Sequence, residues 1–440
     1  MARPRSHSTA TTNPRHAAPP AAFAWWERVL HGIVFAGITL PSIWLGGALR
    51  SIKRRSWGAV PDPCAVNRLL IVQVEHLGDF LVSSGFHRAV RSAYSNAHIT
   101  VVVDRVLVPL IRNSPYFDEV VGFDQSGSKY YRLFAGPLRA LRLARRELWK
   151  KDFDLVINQR WDADLKHGAV LGMFALGRYS IGFSSSTTSR KKIVSRGIDS
   201  MFTCTVDNGD LVHDGWRGGQ LLERLGVAGG DLACEIFTSR EDEEYAREEL
   251  RHVGDCRLVA LGIGASQARH QWPVDRHAEI ASWILELCPD ASFLVVGSSA
   301  DGIKAESLRP VLGDRLLNYG GKCSFGRSAE LLRRASLYFG ADSGPMHIAA
   351  AQGLDIVEIS CLPQEGPDDH PNSPLRYAPV GVKSTILRPV KYAHPCNHGC
   401  RANQPHCIRG VTTEMAKAAL REFLPSAPRG VDLPVLSDQI

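Results

Sequence analysis

Leu69-Leu-Ile-Val-Gln-Val74, followed at once by Glu75-His-Leu-Gly-Asp79 and then by apolar residues at helical spacing through Phe80 to Ala93, decides the fold class. A nearly continuous apolar run of six residues is what a strand buried on both faces requires, and such strands belong to parallel sheets. A polar turn with a glycine, then a helix, is the return half of a strand–helix unit. The pattern repeats outward. His98–Val103 reads as a second strand. Glu119–Phe123, after the turn at Asn113-Ser-Pro115, reads as a third, and Asp154–Asn158 as a fourth. A basic amphipathic helix is expected over 131–149, between the last two.

Residues 200–255 read as connection, and the series then restarts. Strands are expected at 257–261, 292–296, 316–319, 336–340 and 355–359. Helices are expected at 273–288, 328–335 and 344–352, the last closed by Gly353. The chain therefore reads as α/β, with two Rossmann-like halves and a hinge near residues 205–255. Ligands of such folds bind outside the carboxyl ends of the strands, here in the cleft between the halves.

Three turns in that cleft can carry chemistry. In Glu75–Asp79, Gly78 permits a tight turn. Asp79 at the helix start is either an N-cap or a general base. Gly340-Ala-Asp-Ser-Gly-Pro-Met-His347 is strand end, turn and helix start in eight residues. Pro345 is tolerated in a first turn, and Ser343 can cap. Free amides and the helix dipole at Ser343–Pro345 suit a diphosphate, while Asp342 suits sugar hydroxyls; an ordinary capped helix is the alternative. Gly262-Ile-Gly-Ala-Ser-Gln-Ala-Arg-His-Gln-Trp-Pro273 lets a ligand approach the backbone. Arg269 or His270 there can meet a phosphate, although a plain loop reads as well.

Composition narrows the partners. The chain has 440 residues, 44% hydrophobic and 22% charged, which is globular and excludes a wholly disordered chain. The first sixty residues hold eight of the 52 Arg and Lys and one of the 45 acids, Glu27, so the remaining chain is balanced. This is not a nucleic-acid footprint over the folded body; the natural partner of a basic N-terminus is an anionic membrane surface. Residues 1–20 read as a disordered leader. Residues 21–57 read as a membrane-associating segment: Gly32–Leu49 are uncharged, Trp25, Trp26, Trp44 and Trp57 flank them, and Arg50-Ser-Ile-Lys-Arg-Arg55 follows. Pro41 interrupts the stretch, so a hairpin or interfacial helix is preferred to a simple span. A cleaved signal and a plain packed helix are the other readings.

Together the three turns resemble glycosyltransferase family 9, the ADP-heptose:lipopolysaccharide heptosyltransferases and their relatives. The residues carrying the likeness are Gly78-Asp79, Gly264-Ala-Ser266 with Trp272-Pro273, and Asp342-Ser-Gly-Pro-Met-His-Ile-Ala-Ala-Ala351. His213 with Leu221-Leu222 and Leu225-Gly226 is similar to the family's linker, and Gly366-Pro367 with Tyr377-Ala-Pro379 to a later loop. The likeness covers roughly 67–425. It implies a GT-B fold with an acceptor domain (66–205), a linker (206–255), a donor-binding domain (256–395) and a tail (396–440) whose helix over 412–423 packs back on the first domain. It implies inverting, metal-independent transfer with no cofactor, from an ADP-heptose-like nucleotide sugar to a lipopolysaccharide-type glycolipid or polysaccharide, at the cytoplasmic face of the inner membrane.

By the same likeness Asp79 is the catalytic base, and Asp342, Ser343, Gly344, Pro345 and His347 hold the donor. Ser266 lies where the family binds phosphate, and Asp301 near its ribose-binding acid. The family has a lysine before the Trp-Pro pair; here Arg269 and His270 stand there, and an ordinary histidine is charged only near or below about pH 6.5. A different donor, such as a hexose nucleotide, is one alternative. A membrane-bound, non-catalytic nucleotide-sugar sensor or scaffold is another.

Two further groups read mainly as structure. Asp162-Ala-Asp164 is a solvated helix start before it is a metal site. His394-Pro-Cys396-Asn-His-Gly-Cys400 with His406-Cys407 fits no strong zinc template; free thiols are preferred over structural zinc on Cys396, Cys400 and Cys407 or a disulfide. The other cysteines, Cys64, Cys204, Cys234, Cys256, Cys288, Cys323 and Cys361, read as scattered thiols.

Overall fold

The computed structural model describes residues 35–52, 60–207, 212–229, 233–253, 257–368, 370–397, 400 and 402–424. The leader over 1–20 and the front and rear of the 21–57 segment lie outside them.

Two six-stranded sheets form, all neighbours parallel. The first contains β1 Arg68–Gln73, β2 His98–Asp104, β3 Glu119–Phe123, β4 Leu155–Asn158, β5 Tyr179–Phe183 and β6 Cys204–Val206, in the order β3-β2-β1-β4-β5-β6. The second contains β7 Leu258–Gly262, β8 Ser292–Val295, β9 Leu316–Asn318, β10 Leu337–Ala341, β11 Asp355–Ile359 and β12 Ser384–Leu387, in the order β12-β11-β10-β7-β8-β9. Each sheet thus winds outward from its first strand, which lies between its second and fourth. Leu69 is in register with Ile99 on one side and Leu155 on the other; Leu337 is in register with Val259 and Asp355. The strand order reverses between β1 and β4 and between β7 and β10, and a crevice opens beyond the carboxyl ends there.

β5, β6 and β12 were not expected from the sequence. β5 is a short Tyr-Ser-Ile-Gly-Phe stretch whose serine and glycine break the apolar run, yet all five residues are buried. The helix expected through Phe80–Ala93 breaks at Ser83 into Leu77–Val82 and Ser84–Ala93. The 206–255 region is not bare connection. The helix Asp214–Arg224 packs on the first sheet, and Arg240–Glu249 packs on the helix Phe325–Arg333 of the second half.

One terminal element departs from expectation. The helix Thr413–Leu420 packs on the helix Val274–Leu287 and against β11 and β12, so it belongs to the second domain and not the first. Its Ala416, Ala419 and Leu420 share one apolar core with Trp272, Ile280 and Val357. At the other end, Phe35–Ile52 forms a π turn continued by an α-helix. Ile43 and Leu45 pack on the core behind the first sheet, beside the helix Gly168–Phe174. Leu40 and Trp44 point outward. No described helix is long and apolar enough to cross a membrane.

Candidate functional site

A cavity of about 820 Å³ lies between the two domains, lined by the turns that follow β1, β4, β7 and β10. The two switch points therefore face one another. Leu77 and Phe80 of the first domain and Met346 and Ile348 of the second belong to one apolar core, so the turn Gly78-Asp79 and the turn Asp342–Pro345 meet across a packed seam.

Asp79 is the third residue of the helix Leu77–Val82. Its Oδ2 accepts from the amide of His76 at 3.4 Å, which is helix-start capping. The same residue also lines the cavity. Oδ1 accepts from the hydroxyl of Tyr377 at 3.4 Å and lies 3.7 Å from the guanidinium of Arg160. Gly78 is packed against the ring of His347.

The opposing turn leaves two backbone amides free at the cavity. Ser343 does not cap its helix; its hydroxyl pairs with the hydroxyl of Tyr338 at 3.1 Å instead. Pro345 has no N–H. The amides of Ser343 and Gly344 have no partner among the described residues, and the space over Gly344 is open. Unpartnered amides at the head of the eight-residue helix Gly344–Ala351 form a site for negative charge. Asp342 Oδ1 lies 3.5 Å from Nε2 of the buried His347, which orients it.

Ser266 also lines the cavity and is exposed. Asp301 lines it too. Its Oδ2 accepts from the amide and hydroxyl of Ser298, each at 2.8 Å. Its carboxylate fills the space beside Gly264, where any side chain would collide with it. Arg269 does not line the cavity, and His270 does so as a buried ring. Burial, with Arg269 adding to it, pushes the His270 imidazole down to about 4, so it is neutral near pH 7.

Positive charge comes instead from the first domain, which sequence reasoning missed. Arg160, Lys166 and Arg190 line the cavity. Arg160 lies between Asp79 and Glu75, 4.0 Å from the latter. Burial pushes the Glu75 carboxyl up to about 7, against the opposing pull of Arg160. Lys166 lies 3.7 Å from Asp104 and 3.3 Å from the His76 ring. Position is the available signal: Arg160 follows β4 as Glu75 follows β1, and both strand ends flank the switch point.

Tyr377 is fixed from the linker. The His213 Nε2–H donates to the carbonyl of Ala378 at 2.9 Å. Arg376, fully buried, holds Asp214 through Nε at 3.1 Å and an amino group at 3.0 Å, and Arg217 holds it at 2.8 Å. Both guanidiniums stack on Trp161. Asp162 pairs with Arg190 and Arg376, and Asp164 accepts from the amides of Gly168 and Ala169, so this acidic stretch pairs and caps. Cys396, Cys400 and Cys407 lie away from the cavity, around His406; His398 is outside the described residues.

Comparison with known proteins agrees with this architecture. The family description "Glycosyltransferase family 9 (heptosyltransferase)" matches residues 141–403. The lipopolysaccharide core heptosyltransferase OpsX of Haemophilus influenzae is 21% identical over 329 residues, 73% of this chain and 84% of that protein. Among solved structures, a glycosyltransferase family 9 protein from Veillonella parvula superposes with a TM-score of 0.63 at 21% identity, over 83% of this chain and 98% of that one. The Escherichia coli heptosyltransferase WaaC, solved with ADP-2-deoxy-2-fluoro heptose, superposes with a TM-score of 0.56 at 16% identity, over 81% and 99%. The match spans more than half of the chain, and with it two parallel sheets facing a cleft are accounted for: the chain belongs to glycosyltransferase family 9 and is a heptosyltransferase-like glycosyltransferase.

Proposed function

We propose that the protein moves a sugar, heptose first, from a nucleotide diphospho-sugar such as ADP-heptose to a lipopolysaccharide-type acceptor, with inversion and without a metal in the transfer step. One observation carries this reading. The carboxylate of Asp79 and the unpartnered amides of Ser343 and Gly344 open on the same cavity from opposite domains.

In the proposed step Asp79 takes the proton of the acceptor hydroxyl, whose oxygen attacks the anomeric carbon. The bond to the diphosphate breaks on the far side, and its electron pair leaves with the phosphate oxygen. Amides at the helix head, with the Ser343 hydroxyl, stabilise the charge that develops there. A single displacement inverts the anomeric centre. Asp342 and Asp301 accept from sugar hydroxyls. Lys166 and Arg190, on the acceptor side of the cavity, suit the anionic groups of a lipopolysaccharide core. The E. coli relative bound to a fluorinated ADP-heptose supports this donor class.

The docked helix Phe35–Ile52 supports placement at the cytoplasmic face of the inner membrane. Trp44 is 77% exposed on a helix whose opposite side is anchored to the acceptor domain, and an outward tryptophan suits the headgroup layer.

The test is transfer from ADP-heptose to a truncated lipopolysaccharide core, with ADP binding followed by calorimetry. Asp79→Asn should lower transfer at least about 100-fold, the scale of a lost general base, while leaving ADP affinity nearly unchanged. Undiminished transfer by this variant removes Asp79 from the mechanism.

A further inference from the structure

The strongest feature outside the cleft is the gathering of Cys396, Cys400, Cys407 and His406. Three sulfur atoms surround one ring nitrogen. Nδ1 of His406 lies 3.5 Å from Sγ of Cys396, 3.6 Å from Sγ of Cys400 and 3.5 Å from Sγ of Cys407. All four ligand atoms fall within 4.8 Å of one another.

Hydrogen bonding does not explain this arrangement. Nε2 of His406 faces the carbonyl of His394 at 3.2 Å, so the ring carries its proton there and donates it. That leaves a single lone pair on Nδ1, which can accept from one thiol and not from three at equal range. Nor are the cysteines joined to one another, since each is a free thiol.

A tetrahedral ion does explain it. With zinc–sulfur bonds of about 2.3 Å and zinc–nitrogen bonds of about 2.0–2.1 Å, tetrahedral angles put sulfur and nitrogen about 3.5–3.6 Å apart. The three observed separations fall on that value. The carbonyl of His394 supplies the outer partner that fixes the tautomer of a metal-binding histidine.

We propose that Cys396, Cys400, His406 and Cys407 form a closed structural site for a thiophilic tetrahedral cation, zinc foremost. On binding, the three thiols release their protons, and neutral His406 keeps the proton on Nε2. Four protein ligands leave no open position, so the ion takes no part in sugar transfer.

Its place in the fold gives it a task. Cys407 opens the turn Cys407–Gly410, which packs on the turn Ala268–His270 of the donor-side loop. Just beyond it, the carbonyl of Val411 accepts from the indole of Trp272 at 2.9 Å and from Arg276 at 2.6 Å. The ion would staple the described residues 394–397, 400 and 402–406 beneath the loop that presents Ser266 and His270 to the cavity.

The experiment is metal analysis of the full chain, purified without chelator from zinc-supplemented medium. About one zinc or iron per chain is expected. Cys400→Ser, at a half-buried position, should lose most of that metal and lower the Tm, while Cys64→Ser, elsewhere on the surface, should lose none. Cobalt exchanged into the wild-type protein should give the intense visible absorption of a tetrahedral thiolate site, a readout that does not depend on the variant folding. Metal-free wild-type protein, metal retained in full by Cys400→Ser, or a disulfide between two of the three cysteines on mass spectrometry would overturn the proposal.

Discussion

Gly78 and His347 touch across the two domains: a methyl group on the α-carbon of Gly78 would come within 2.7 Å of Cδ2 of the His347 ring. The absence of a side chain at residue 78 is what lets the turn carrying Asp79 lie directly on the helix Gly344–Ala351. His347 in turn is held near Asp342.

Gly78→Ala should force these turns apart. A displacement of about 1 Å at reacting groups can lower a rate about 100-fold, and a fall of that order in kcat/KM is expected. Replacing His347 by Ala in the same chain should return the Tm that Gly78→Ala loses, because the collision partner is gone. An unchanged kcat/KM in Gly78→Ala would show that the seam tolerates the extra methyl.

Glu75 sets a pH dependence of stability. Burial raises its carboxyl from an ordinary 4.5 to about 7. The folded protein therefore holds a proton that the unfolded chain releases between those values. Stability from this group is complete below about pH 4.5 and declines as pH rises through 7. Glu75→Gln should accordingly be more stable than the parent at pH 8, by about 2 kcal/mol, and little different at pH 5. Equal Tm differences at both pH values would remove Glu75 as the source.

His277 acts in the opposite sense. It is fully buried against the edges of Trp272 and Phe339, and neither ring nitrogen has a partner among the described residues. Burial pushes it down to about 3. Stability from the neutral ring is complete above about pH 6.5 and is lost as pH falls toward 3. His277→Leu should lessen the drop in stability between pH 7 and pH 5 by about 2 kcal/mol, measured by urea unfolding at each pH.

Asp214 binds two buried arginines, and Arg376 foremost holds its carboxyl below the usual range. Asp214→Asn removes the carboxylate that two buried arginines share and leaves Arg376 only the more distant Asp162, at 3.7 Å. A loss of about 3 kcal/mol is expected. Transfer activity should fall as well, because Arg376 adjoins the tyrosine that meets Asp79. Denaturant titration and initial rates on the same preparation check both.

Legibility in the sequence followed how local the cause was. Strands β1, β2, β7 and β8 are nearly continuous apolar runs, which is what burial on both faces asks of a sequence. β5 was hidden because Ser180 and Gly182 dilute its signal, and neighbours distant in sequence, Thr203 and Phe202, fill the space around them. That Asp79, Asp342 and residues 343–345 lie in turns at strand ends was readable from turn chemistry, while the roles expected of them rested on the family resemblance. Arg160, Lys166 and Glu75 were not, because a long charged side chain shows its role only when a fold places an opposite charge beside it. The tail helix was misplaced for a similar reason. Its apolar face is plain, but which surface receives it depends on where the chain ahead of it is held, and the contacts of Arg388 with Leu362 and of Trp272 with Val411 hold it on the second domain. The four residues of the Cys/His cluster were visible as letters; their convergence depends on a fold that no spacing rule encodes.

The docked helix at 35–52 has a practical consequence. Met173 lies over Gly46 so closely that no side chain fits between them, and Ile43 and Leu45 cover the apolar layer behind β1 and β4. A chain shortened to begin at residue 60 would leave that layer wet, and large bare apolar patches drive self-association. Attempts to prepare a tractable fragment by discarding everything ahead of the first strand should yield aggregates, whereas a start before residue 35 preserves the cover.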